Sequence, residues 1–115
     1  MQYLLLIYTD EAKIAAMGEA RLGAFATAYA AYTEALKKAG VYLASARLRP
    51  VATASSVRLA GGKPQVLNGP YAETREQLGG YYAVDVPDDA TAQSWAARCP
   101  GAEVGTMEVR AVWPM

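Results

Sequence analysis

The feature that most constrains this chain is its beginning. Tyr3-Leu4-Leu5-Leu6-Ile7-Tyr8 is an unbroken apolar run closed by Thr9-Asp10. A membrane span needs about 20 such residues, so this run is too short to be one. Its length and its β-favouring Tyr3 and Ile7 make residues 2–8 a strand. Successive side chains of a strand point to opposite faces, so a strand apolar at every position asks for cover on both. Helices supply one cover. A chain of 115 residues holds a single domain, residues 1–115, with one core, so the other cover is expected to be a second copy. A hydrophobic share of 53%, high for so small a domain, points the same way.

The rest of the chain supplies the other layer. Asp10 to Ile14 reads as a polar exit loop or a first turn. From Glu19 the apolar residues Leu22, Phe25, Tyr29, Tyr32 and Leu36 step by three and four, which predicts a helix. Lys37 and Lys38 suit its C-terminal dipole, and Gly40 its C′ position. Residues 41–48 read as a second strand, closed by Pro50. Gly61-Gly62 between two short strand-like runs, 54–59 and 64–67, predicts a hairpin. Residues 73–78 are either one helical turn or an ordered loop. Residues 80–86 form a strand with Tyr82, Val84 and Val86 on one face. Asp88 caps a helix reaching Arg98 that Pro100-Gly101 ends, and Ala92, Trp95, Ala96 and Cys99 form its stripe. A last strand covers 106–113, with Met107, Val109, Ala111 and Trp113 on one face.

Without the hairpin this order is βαββαβ, an α+β chain on the ferredoxin-like plan with an inserted β-hairpin. Two such sheets packed face to face make a dimeric α/β barrel, so a homodimer is the expected assembly.

Composition removes several function classes. Eleven basic residues balance eleven acidic ones, so the chain lacks the positive excess of a nucleic-acid binder. Cys99 is the sole cysteine, and no basic n-region precedes the first apolar run, so the expected location is cytoplasmic, with no membrane partner. The sequence has no histidine, which excludes a histidine base, Ser-His or Cys-His pairs and every His-ligated metal site. No metal site and no cofactor are expected. Gly79-Gly80 lacks phosphate-loop spacing and opens a strand, which suits a bulge or close backbone approach instead.

One segment stands apart from this scaffold. Asn68-Gly69-Pro70-Tyr71-Ala72-Glu73-Thr74-Arg75-Glu76-Gln77-Leu78-Gly79-Gly80-Tyr81-Tyr82, running on to Val86-Pro87-Asp88, resembles the DGPF group of the YCII-related family. The opening strand, the exit Ala96-Ala97-Arg98-Cys99-Pro100 and the ending Val109 to Pro114 are similar as well. The resemblance implies a dimeric α/β barrel, members of uncharacterised function, and a setting linked to extracytoplasmic-function sigma factors. It also implies a His-Asp pair in a cleft, which a chain without histidine cannot form. Asn68 and Tyr71 stand where the motif has Asp and Phe, and Asn cannot serve as acid or base.

The candidate site residues follow from this segment. Asn68-Gly69-Pro70 is a rigid turn that either only shapes the chain or presents Asn68 and Tyr71 to a cleft. Glu73, Arg75 and Glu76 are either a solvated charged turn or a site in which Glu73 acts as base. Tyr81 and Tyr82 face opposite ways, so one is core, and Tyr82 is the candidate acid beside Glu73. Tyr8, Arg47 and Arg75 are candidate ligand-binding residues with Asn68 and Tyr71; the planar fork of Arg suits carboxylate or phosphate. Cys99, on an apolar stripe, reads as inert core. Three functions are compatible with this set: a homodimer binding a small polar or anionic molecule, an enzyme moving a proton with Glu73 and a tyrosine, and a structural interaction module.

Overall fold

The computed structural model describes residues 1–114. In chain order the elements are β1 (Gln2–Thr9), α1 (Glu11–Ala15), α2 (Glu19–Lys38), β2 (Tyr42–Arg47), a 3-10 turn (Val51–Thr53), β3 (Ser55–Ala60), β4 (Lys63–Asn68), β5 (Gln77–Asp85), α3 (Asp89–Arg98), α4 (Gly101–Val104) and β6 (Gly105–Ala111). The apolar opening strand takes the interior of the sheet: β1 pairs antiparallel with β5 on one side and β6 on the other. β2 adds to the far edge of β5, giving the order β2-β5-β1-β6. This is the ferredoxin-like arrangement, with β3 and β4 inserted as a separate two-stranded ribbon. The sheet does not close on itself within one chain.

Alternation along β1 sorts its side chains as strand geometry requires. Tyr3, Leu5 and Ile7 are buried under the helices, while Leu4 and Leu6 on the second face stay half-buried. The buried row meets Tyr32 and Leu36 of α2, Ala92 and Ala96 of α3, and Tyr82 and Val84 of β5. Leu5, Leu36 and Val84 are fully buried, each worth about 1.5–3 kcal/mol relative to exposure. Cys99 is buried in the same cluster, and burial pushes its thiol up, away from the reactive thiolate. The helices thus lie on one face of the sheet. On the other, Leu6 and Tyr81 are paired neighbours, as are Leu4 and Ala83, and all four are half-buried.

Several local expectations change. Residues 11–15 form a helix, because the Asp10 carboxylate accepts from the Ala12 and Lys13 backbone N–H groups and caps it. The long stripe on α2 is buried only toward its C-terminal end: Tyr32 and Leu36 meet the core, Phe25 and Tyr29 are half-buried, and Leu22 is exposed. Tyr82 and Val84 pack with the last turns of α2. Of the two readings of residues 73–78, the loop holds for 73–76, while β5 already begins at Gln77. Pro100-Gly101 ends α3 and also starts α4. β6 stops at Ala111, so Trp113 leaves the sheet and stands 86% exposed.

Glycine is required at the hairpin turn and at one close approach between strands. Gly61 and Gly62 have φ of +57° and +79°, the paired positive values a tight hairpin turn needs. A Cβ on Gly80 would stand 2.6 Å from the Ala46 carbonyl oxygen, so only glycine lets β2 approach β5 there.

Candidate functional site

The cleft-forming elements meet where β1 ends, β5 begins and β6 begins. Tyr8 comes from the end of β1, Lys13 from α1, Thr74, Arg75 and Glu76 from the segment before β5, and Thr106, Met107 and Glu108 from β6. They line an open cleft of about 810 Å³, within the range of small-molecule sites.

Backbone groups hold this corner together. The Glu11 N–H donates to Gln77 Oε1 at 3.0 Å, and Gln77 Nε2 donates to the Thr74 carbonyl at 2.9 Å. The Val51 N–H donates to Glu11 Oε2 at 3.0 Å. The Thr74 hydroxyl donates to the Glu76 carbonyl. One amide and one carboxylate therefore fasten α1, the segment before β5 and the 3-10 turn to each other, and Lys13 and Arg75 are carried by that frame. The Asn68-Gly69-Pro70 turn is tied separately: the Gly69 N–H donates to the Ala54 carbonyl at 2.7 Å, and the Ser56 hydroxyl donates to the Gly69 carbonyl at 2.9 Å.

The charges of the cleft are unequally satisfied. Glu76 Oε1 accepts from the Thr106 hydroxyl at 2.7 Å. Glu108 is paired with Arg110, whose Nε and second guanidinium nitrogen lie 2.7 and 2.6 Å from its Oε2. Lys13 and Arg75 take part in no ion pair among the described residues. The acids of the cleft are thus engaged while two cations are left to solvent.

The candidate residues from the sequence divide accordingly. Tyr8 and Arg75 come together in the cleft. Glu73 sits exposed on the loop before β5, and Tyr71 is 82% exposed on the same loop. Asn68 ends β4, paired with Ser55 at the base of the ribbon. Arg47 ends the edge strand β2 opposite Gly80 and is exposed. Tyr82 lies under the helices. Its ring makes an edge contact with Tyr32, with centroids 5.1 Å apart, and its hydroxyl is bonded to Thr33. Desolvation raises the Tyr82 phenol above its ordinary value. The structure therefore does not bring Tyr82 to Glu73. Tyr81, its neighbour, takes the open face of the sheet between Leu6 and Ala46.

Lys13, Thr106 and Glu108 were not legible as cleft residues in the sequence. The one local signal was Asp10 before Glu11-Ala12-Lys13, a cap followed by helix formers that places Lys13 on a helix. Thr106 and Glu108 reach the cleft only because β6 pairs with β1 beside Tyr8. Among the described residues no group of His, Cys, Asp and Glu side chains could hold a metal ion, and no helix is long and apolar enough to cross a membrane.

Comparison with known proteins agrees with this architecture. The family model of the YCII-related domain matches residues 1–115. An uncharacterized protein of Rhizobium meliloti (strain 1021) is 32% identical over 112 residues, covering 96% of this chain and 90% of that protein.

Proposed function

The chain belongs to the YCII-related family, and on that premise we propose that it is a homodimeric protein whose cleft binds a small anionic molecule. The observation that carries this is the charge inventory of the cleft. Glu76 and Glu108 already have partners, while Lys13 and Arg75 have none among the described residues and stand beside Tyr8. A carboxylate or phosphate supplies the missing negative charge, with the Arg75 fork and the Lys13 ammonium as donors and the Tyr8 hydroxyl as a neutral one. Second copies cover the open sheet face that carries Leu4, Leu6 and Tyr81. The setting is cytoplasmic and regulatory, in keeping with the sigma-factor link the family resemblance implies.

Thermal melts with inorganic phosphate and a series of small mono- and dicarboxylates test the binding reading. A ligand that binds only the folded state raises Tm, and Lys13→Ala and Arg75→Ala abolish the rise without lowering the ligand-free Tm, since both side chains are exposed. A series that moves no melting temperature overturns the reading. Sedimentation of the wild-type chain tests the homodimer, and a monomer at every concentration overturns it.

A further inference from the structure

The β3–β4 ribbon is the part of the molecule that the cleft does not use. Its register places Val57 opposite Val66 and Leu59 opposite Pro64, on one face. Ser56, Arg58 and Lys63 lie on the other, with Gln65, Leu67 and Ala60. The ribbon is therefore two-sided, and its apolar side is in water: Val57, Leu59 and Val66 are 61, 73 and 63% exposed. A lone two-stranded hairpin is at best marginally stable in water, and an exposed apolar face adds to the cost.

The ribbon does not fold back on its own domain. Its strands pack closely only on each other. The radius of gyration is 16.0 Å, against about 13 Å for a compact chain of this length. The molecule measures 49 × 43 × 18 Å, so it is a flat body of one helix layer and one sheet, with the ribbon extending it sideways rather than thickening it. On the sheet face away from the helices, Leu4, Leu6 and Tyr81 stay half-buried.

We infer that the apolar face of the β3–β4 ribbon, formed by Val57, Leu59, Pro64 and Val66, is an arm that seats on a second copy of this chain. The inference rests on the homodimer proposed above and adds the surface that holds it. Area decides for a second copy over an unrelated partner. A ribbon face of this kind offers on the order of a few hundred Å². A stable interface buries roughly 800 Å² on each side. The ribbon alone falls short, and the sheet face away from the helices, where half-buried Leu4, Leu6 and Tyr81 lie beside the Glu108–Arg110 pair, adds to it. A two-fold assembly uses both surfaces on each protomer, so each patch is buried twice. Arg58 and Lys63 on the outer side then keep the arm's exposed face solvated.

Sedimentation equilibrium of the full chain tests this with variants that touch one surface at a time. Val57→Asp/Leu59→Asp is expected to raise the dimer dissociation constant at least tenfold with an unchanged circular dichroism spectrum. Arg58→Asp, on the polar side of the same ribbon, is expected to change it less than twofold. Hydrogen exchange of residues 55–68 in the wild-type chain gives a measure independent of any variant: their protection is expected to rise with protein concentration as dimer forms. A dimer that Leu6→Asp dissociates but Val57→Asp/Leu59→Asp does not, with ribbon exchange independent of concentration, overturns the arm while leaving the homodimer standing. A wild-type chain that is monomeric overturns both. Ribbon protection that appears only on adding anionic lipid vesicles assigns the face to a membrane and also overturns the inference.

Discussion

The Tyr82 hydroxyl lies 2.8 Å from Thr33 Oγ1, joining the second tyrosine of the Gly79-Gly80-Tyr81-Tyr82 run to the C-terminal half of α2. Thr33 Oγ1 also donates to the Tyr29 carbonyl at 2.9 Å, so its proton is taken and Tyr82 is the donor in the shared bond. The bond closes the contact between sheet and helix layer. Tyr82→Phe should therefore cost about 0.5–1.5 kcal/mol in urea unfolding, from one lost buried hydrogen bond, and leave anion binding at the cleft unchanged. Weakened binding in a variant of unaltered stability would return Tyr82 to the site.

Alkaline stability follows from a neighbouring relationship. The Tyr3 hydroxyl donates to Asp89 Oδ1 at 2.6 Å, and that bond, with the nearby carboxylate charge, pushes the phenol up to about 12. An ordinary phenol titrates near 10. Tyr29, Tyr32 and Tyr82 are raised as well, with burial the leading cause in each. A folded pKa above the unfolded one means the unfolded state loses its proton first. The stabilisation is thus complete below about pH 10 and is lost as pH climbs through the folded values. Melting temperature should begin to fall above about pH 9, where the Cys99 thiol ionises in the unfolded chain but not in the folded one, and fall further beyond about pH 10, with phenolate absorbance appearing alongside unfolding. In Tyr3→Phe the fall between pH 10 and 12 should be shallower.

Gly80 is a steric prediction. Its absent Cβ would stand 2.6 Å from a backbone oxygen of β2, which cannot swing aside as a side chain does. Gly80→Ala should cost about 1–3 kcal/mol by forcing β2 from β5. Gly79→Ala, whose nearest atom is the Thr9 hydroxyl at 3.7 Å, should be close to neutral. Equal effects of the two in thermal melts would contradict the close approach.

Glu76 gives the cleft reading a test of sign. Its carboxylate accepts from Thr106 beside Arg75 and Lys13, which form no ion pair among the described residues. Glu76→Gln keeps an acceptor for Thr106 but removes a negative charge from an anion site. Affinity for phosphate or carboxylate should rise by up to about fivefold, the equivalent of ~1 kcal/mol for an exposed charge pair, and the gain should shrink in high salt. A loss of affinity would point to Glu76 as a direct ligand contact.

How much of this was legible beforehand depends on the range of the interaction. The first strand over residues 2–8, the step from Tyr32 to Leu36, the Asp88 cap and the Gly61-Gly62 turn are read over a few residues, and each took its expected place. The Asn68–Tyr82 segment marked the family, and it does border the cleft through Thr74, Arg75 and Glu76. Its most chemical-looking residues went elsewhere. Tyr82 faces the helices because its strand parity matches that of Val84, and Glu73 and Tyr71 stand in solvent.

The sequence by itself determined the two long helices, the strands and their order, because periodicity, caps and turn residues act through the backbone within a turn or two. Tertiary structure decided the site. Lys13, Arg75 and Thr106 are far apart in the chain and meet only because β1 lies between β5 and β6, and pairing register, which no local pattern encodes, sets which side chains share that corner.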